Sequence, residues 1–332
     1  MVSGLVIAAA VVGVVPAAAA TTLKMATLAP DGSYWVEAVR TAAGEIARRT
    51  DGRVELRLYP GGTMGDDQAV LRKMRIGQLH GGGLLSGTLA TRVPDLEVYG
   101  LPLLFRSYDE VDRIREAFDD RLLAELDANG LVAFGFIETG FAYLMSVDPV
   151  RNLDDLKGRK AWFPEGDRVG QAILEAAGLS PVPLPLSDVL TGLQTGLIET
   201  VAGPPVGAVA LQWFTKARYL LEVPIVYSYG ALVLDKRAFG SLQPGDREIV
   251  REILESTVAD LDTRAREDNL AAREALIRQG VQITPSSDDV IRNWERVAAE
   301  ANRLLADRLD VDSTLRREVD RMLAELRGGA AR

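Results

Sequence analysis

Few residues in this 332-residue chain could carry covalent chemistry. It has no cysteine, which removes disulfides, thiolate nucleophiles, Cys-ligated zinc and iron–sulfur clusters together. It has one histidine, His80, so a His-cluster metal site is out and a Ser-His-Asp triad would have to use that residue. His80 stands at the end of a candidate strand beside Gly81-Gly82-Gly83 and reads as a hydrogen-bonded polar residue under a close backbone approach. The three glycines are not a phosphate loop: they lack the Lys-Ser/Thr of a Walker string and follow no dinucleotide fingerprint. Acid–base hydrolysis needs two carboxyls at a fixed separation across a cleft. Glu165, Asp167 and Glu199 could supply them, but nothing in their spacing favours it. The chain is therefore read as a non-enzyme without a cofactor.

Charge narrows the partners. The chain has 38 basic and 47 acidic side chains, a net charge of −9, which argues against broad electrostatic binding to nucleic acid or anionic lipid. Hydrophobic residues at 47% and charged ones at 26% place the bulk of it among soluble globular proteins, and its length predicts about two domains. Met1 to Ala20 carries no charge. Leu5–Val15 is an apolar run of signal-peptide length, ending in Pro16 and Ala17-Ala18-Ala19-Ala20, the pattern of an export signal cleaved after Ala20. No Lys or Arg precedes the run, so the native start is open, and an uncleaved membrane anchor is the competing reading. No later stretch is long enough to span a bilayer. The mature chain is expected to be exported, with no stable membrane insertion.

Residues that bind a ligand need elements to hold them. Leu23–Leu28 reads as a strand stopped by Ala29-Pro30-Asp31-Gly32. Ser33 then caps a helix with Trp35, Val39, Ala42, Ala43 and Ile46 on one face. Val54, Leu56 and Leu58 alternate as in a strand. Asp66–Ile76 is helical, and Leu79–Leu85 is a small-residue strand leading to Ser86-Gly87-Thr88. This alternation marks an α/β sheet with parallel strands, whose ligands sit beyond the carboxyl ends of the strands. Ala29–Ser33 and Ser86–Thr88 are the corresponding loops. Further on, Tyr108–Ala128 reads as two helical segments, Val132–Phe136 and Phe141–Val147 as two extended segments, Ala161–Pro164 as extended and Arg168–Ala177 as helix. Pro181, Pro183 and Pro185 exclude a regular helix over Leu179–Leu186, and Ser187 caps a helix to Thr195. Leu197–Val201 and Val281–Thr284 are short extended segments. Pro244–Gln279 reads as one helix about 50 Å long at 1.5 Å per residue, with a hairpin broken near Asp268-Asn269 as the competing reading. Ile249, Ile253, Leu261, Ala265 and Leu276 form its apolar stripe, and Glu and Arg fill its other faces. Asp288–Leu309 and Ser313–Leu326 are amphipathic surface helices. A helix that long exceeds one small lobe, and no single linker is visible. The chain is expected to cross between two domains more than once.

Several strings occur in a telling order: Arg49-Thr50-Asp51-Gly52-Arg53-Val54, Tyr59-Pro60-Gly61-Gly62-Thr63-Met64-Gly65-Asp66-Asp67, Val93-Pro94-Asp95-Leu96, Leu101-Pro102-Leu103-Leu104-Phe105-Arg106, Asp155-Leu156-Lys157-Gly158 and Leu193-Gln194-Thr195-Gly196. With them the chain, from about Leu23 to its C-terminal helices, resembles the DctP-type solute-binding proteins of tripartite ATP-independent periplasmic (TRAP) transporters. The resemblance implies an α/β periplasmic-binding-protein fold of two lobes, with hinge strands between them and a long helix spanning both. It implies a periplasmic protein that closes on a solute and delivers it, chemically unchanged, to small and large membrane subunits driven by a sodium gradient. The lobes are expected at 21–145 with 231–275, and at 146–230 with 276–330.

The sequence departs from that family at its ligand contacts. The resemblance implies an Arg clamp on the solute's carboxylate, two residues beyond Lys160, a geometry suited to a planar fork. Trp162 stands there instead. Ala142 follows Gly140-Phe141 where a second Arg is common, and Gly203 takes the place of an Asn. The expected cleft is therefore more apolar, with Trp162, Trp35, Phe141, Trp213 and Tyr229 as candidate walls and Gly87, Gly203 and Gln212 beside them. Three ligand chemistries stay open. A monocarboxylate could be held by Arg168 or by backbone N–H groups near Asp167. A cationic or zwitterionic solute could sit on Trp162 with Glu165 or Asp167 as counter-charge. A cation could bridge Glu165 and Glu199 to an acid. Glu165 and Asp167 could equally cap the next helix. A ligand sensor sharing the fold is the competing function.

Overall fold

Two long strands decide the architecture. In chain order the elements of the computed structural model, which describes residues 20–329, are β1 (Thr21–Thr27), α1 (Tyr34–Arg49), β2 (Val54–Tyr59), α2 (Asp67–Arg75), β3 (Gly81–Leu85), α3 (Ser86–Leu89), a 3-10 turn (Pro94–Gly100) and α4 (Tyr108–Ala128). They continue with β4 (Leu131–Ser146), β5 (Lys160–Phe163), α5 (Arg168–Ala176), β6 (Ser180–Pro183), α6 (Val189–Thr195), β7 (Thr200–Gly203), α7 (Pro205–Ala210) and β8 (Tyr219–Asp235). Last come α8 (Lys236–Gly240), α9 (Pro244–Arg278), β9 (Gln282–Thr284), α10 (Asp288–Leu305) and α11 (Ser313–Gly329). The expected export signal over 1–20 lies outside the described residues except for Ala20.

The strands form one sheet in the order β2-β1-β3-β8-β4-β7-β5-β6, with β9 beside β8. β1 pairs in parallel with β2 and β3 at one end, and β5 pairs in parallel with β6 and β7 at the other. These parallel ends are the two lobes. Antiparallel β4 and β8 run through both, so the chain crosses between lobes on each. The reading of two extended segments before Val147 is corrected: they are one 16-residue strand. Gly135 (φ +123°) and Gly140 (φ +104°) lie in irregularities of its pairing with β8 and punctuate it in sequence without ending it. Tyr108–Ala128 is likewise one helix, not two.

Caps explain where the helices begin. Ser33 Oγ accepts from the Val36 N–H, Asp66 Oδ1 from Ala69, Asp167 Oδ1 from Gly170 and Ser287 Oγ from Val290. Ser187 does not cap α6. It lies in a 3-10 turn, and its hydroxyl bonds Asp188 instead.

α9 is continuous over 35 residues, about 52 Å at 1.5 Å per residue. Val250, Leu254 and Leu261 enter the first lobe's core with Met25, Ile46 and Leu232, while Leu276 enters the second lobe's with Met145, Trp162 and Trp213. Its middle holds β4 through polar groups. Asp262 accepts from the Glu138 N–H at 2.7 Å, Arg266 pairs with the buried Glu138 carboxylate at 3.0 Å, and Asn269 donates to the Thr139 carbonyl at 2.8 Å. These residues are one helical turn apart, so they share a face. The sequence places charged residues on the other faces, whereas this stripe sits on the strand.

Candidate functional site

The carboxyl ends of the parallel strands face the junction between lobes, where open α/β sheets hold ligands. On the first lobe the chain leaves β1, β2 and β3 through Leu28–Ser33, Pro60–Asp66 and α3. On the second it leaves β5 and β7 through Pro164–Asp167 and Pro204. The rims meet. A Cβ built on Gly166 would lie 4.0 Å from Gln68 Nε2, and the Arg168 guanidinium stands 3.9 Å from the Glu97 carboxylate.

Three carboxyls populate this junction. Asp67, the first residue of α2, accepts from the Leu85 N–H at 3.0 Å through Oδ2. Its Oδ1 is buried with no hydrogen-bond partner among the described residues, and burial pushes the carboxyl up to about 6. Tyr229 ties β8 to the 3-10 turn Pro94–Gly100: its hydroxyl donates to the Leu96 carbonyl at 2.5 Å. Glu97 follows, 6% exposed. Burial first, and the charge of Asp167 second, push its carboxyl up to about 7, while Arg168 pulls it down. Asp167 is half-exposed as a residue, but its carboxyl is enclosed at the α5 cap, and burial raises it too.

The expected walls do not form one surface. Trp162 is buried edge-to-face on Trp213, with ring centroids 5.3 Å apart, and its Nε1–H donates to the Leu184 carbonyl at 2.9 Å. Gly203 makes room for that pair: a Cβ there would lie 2.8 Å from the Trp213 ring. The Trp213 Nε1–H is buried without a partner among the described residues. Trp35 belongs to the other lobe, where its ring lies against Gly83. Phe141 and Tyr229 are buried in the central aromatic stack with Tyr227, whose ring is 5.8 Å from Phe141 and 5.9 Å from Tyr229. Gly87 lies in α3 with open space where a Cβ would point.

Gln212 and Glu199 fall outside the junction. Gln212 is exposed in a left-handed turn (φ +57°) that starts a 3-10 segment. Glu199 accepts from the Lys160 N–H at the start of β5, whereas exposed Glu165 follows the end of that strand. Strand geometry separates them by more than 10 Å, at about 3.3 Å per residue, so the structure does not assemble the expected cation bridge. Among the described residues no group of three or more His, Cys, Asp or Glu could hold a metal ion. Arg168 donates to the Arg308 carbonyl at 2.7 Å, which ties it to the C-terminal segment. His80 is as expected: its Nδ1 accepts from the Lys24 N–H at 3.0 Å.

Glu97 and Asp67 are the junction carboxyls the sequence reading did not single out. The signal at Glu97 was its alternation, with Asp95, against Leu96 and Val98 ahead of the apolar run to Phe105.

A model of the bacterial extracellular solute-binding proteins of family 7 matches residues 25–307. A solute-binding protein of Chromohalobacter salexigens is 26% identical over 254 residues, covering 76% of this chain and 75% of the relative. The C4-dicarboxylate-binding periplasmic protein DctP of Rhodobacter capsulatus is 25% identical over 284 residues, covering 81% and 82%. The crystal structure of a TRAP periplasmic solute-binding protein from Xanthobacter autotrophicus PY2 with bound β-D-galacturonate superposes with a TM-score of 0.82 at 24% identity, over 91% of this chain and 99% of that one. Among the described residues no helix is long and apolar enough to cross a membrane.

Proposed function

Because the chain belongs to family 7 of the bacterial extracellular solute-binding proteins, we propose that it is exported to the periplasm and closes its two lobes on a small organic solute. It then hands that solute, chemically unaltered, to a sodium-coupled TRAP membrane transporter. The family's members are transport proteins rather than enzymes. One observation carries the reading: the carboxyl ends of the two sets of parallel strands converge where Gly166 approaches Gln68 and Arg168 approaches Glu97, while two long strands join the lobes. We place the lobe boundaries near 145, 230 and 275, where β4, β8 and α9 pass between them. The solute carries a carboxylate, by analogy with the dicarboxylate and galacturonate binders above. It is not gripped by an Arg at position 162, since Trp162 is there.

A thermal-shift screen over organic acids, amino acids and aromatic acids tests this. A solute at a hundredfold excess over Kd stabilises the chain by RT ln(1 + [L]/Kd), about 2.7 kcal/mol, and is recovered intact. A screen in which nothing stabilises the chain, or a stabilising solute that is chemically altered on incubation, contradicts the proposal.

A further inference from the structure

We propose that residues 306–312, the segment between α10 and α11, form a strap that limits how far the two lobes part. This rests on the hinged lobes of the capture reading and goes beyond it. The family match ends at residue 307, so most of the strap and all of α11 lie past the residues it covers. α10 packs on α5 of the second lobe, whereas α11 packs on α4, the helix that precedes β4 in the first. Arg327 of α11 donates to the Glu110 carboxylate of α4 at 2.8 Å. The last two helices therefore straddle the lobes.

Each end of the strap is clasped to a different lobe. On the second, the Arg308 carbonyl accepts from Arg168 at 2.7 Å, and the Arg308 guanidinium donates to Glu175 of α5 at 3.1 Å. On the first, the Asp312 N–H donates to the Asp95 carboxylate at 2.7 Å. Arg121 of α4 holds both carboxylates, Asp95 at 3.0 Å and Asp312 at 2.9 Å. Asp95 is 6% exposed, so this clasp is seated in the fold, and its bonds are charge-assisted. Between the clasps, half-buried Leu309 and Val311 pack on the core while Asp310 faces solvent. Four residue steps from Arg308 to Asp312 reach at most about 14 Å. The clasps stand at the rims: Asp95 is two residues before Glu97, which Arg168 faces at 3.9 Å. Parting of the rims there carries the two anchors away from each other. The strap cannot follow beyond its reach, so wider opening must break a clasp. An empty protein held near its capture geometry has less to lose on closing.

Inserting Gly-Ser-Gly-Ser-Gly-Ser between Asp310 and Val311 keeps every clasp residue and adds roughly 13 Å of reach. Spin labels on Thr63→Cys and Glu165→Cys, at exposed positions on opposite rims, read the gap in the ligand-free mature chain by electron paramagnetic resonance. The insertion should add a population with the labels about 5 Å or more farther apart, within the slack it supplies. Arg121→Ala removes the side chain that joins Asp95 to Asp312; it should shift the distances the same way, and it serves if the insertion fails to fold. A distance distribution identical to the parent's in whichever variant folds, even with a lowered Tm, makes the segment a plain connector. That overturns the strap and leaves solute capture standing. A parent distribution that no stabilising solute shortens defeats capture itself, and the strap's role with it.

Discussion

Glu97→Gln should make the ligand-free protein more stable, and only above about pH 4.5. Burial and Asp167 hold the Glu97 carboxyl at about 7 instead of its ordinary 4.5. The folded chain therefore binds a proton more tightly here than the unfolded chain does. Glu97 contributes no penalty below the unfolded value, and stability falls as pH rises from about 4.5 to about 7. The difference between the two values corresponds to about 3 kcal/mol at pH 8. Gln keeps the shape and carries no charge, so it escapes that loss. With unfolding entropy near 2.1 cal/mol/K per residue, about 3 kcal/mol in a chain of this size is about 4 to 5 °C in Tm. The assay is calorimetric melting of both proteins at pH 4.5, 6 and 8. Slopes from other groups, Asp67 among them, occur in both and cancel in the difference. Equal offsets at all three pH values, or a variant less stable at pH 8 than at pH 4.5 relative to the parent, would refute the reasoning.

Three further substitutions probe the surroundings. Asn269→Ala leaves the Thr139 carbonyl and the Val206 N–H without their side-chain partner; it should cost about 1–3 kcal/mol in chemical denaturation, and unchanged stability would mean these bonds do not pin the hinge. Gly203→Ala drives a Cβ to 2.8 Å from the Trp213 ring; the expected loss is about 1–3 kcal/mol from overpacking, with a shifted tryptophan emission, and a neutral result would show that the Trp pair adapts freely. Trp162→Arg should create or strengthen dicarboxylate binding, read by calorimetry, if this side chain borders the cleft; a folded variant with an unchanged ligand profile would make Trp162 purely core.

The first lobe was legible because its signals are local. Ser33 and Asp66 cap helices, and Val54, Leu56 and Leu58 alternate with the outward-facing Glu55 and Arg57. The crossing strands were harder. Gly140 breaks the pattern of β4 because it sits under Asn269, where a Cβ would come within 2.7 Å of the amide. β8 carries Pro224, which cannot donate to a ladder. The sheet accommodates it where pairing with β4 slips, between Ala142 opposite Val226 and Leu144 opposite Leu221. The charges of α9 read as solvent-facing because their partners, Glu138 and the β4 backbone, are more than a hundred residues away in sequence. The site was half-legible for the same reason. Asp167 and Arg168 stand in a recognisable loop, but only the fold brings Glu97 to them, 70 residues and more from its position in the chain.

Closure on a solute is the claim on which the rest depends, and the absence of cysteine makes it directly measurable. Thr63→Cys and Glu165→Cys place spin labels at exposed positions on opposite rims. With a solute that stabilises the chain in the thermal screen, the distance between labels measured by electron paramagnetic resonance should shorten to a single narrow population as the site fills. An identical distance distribution with the solute bound and absent would contradict a hinged capture mechanism.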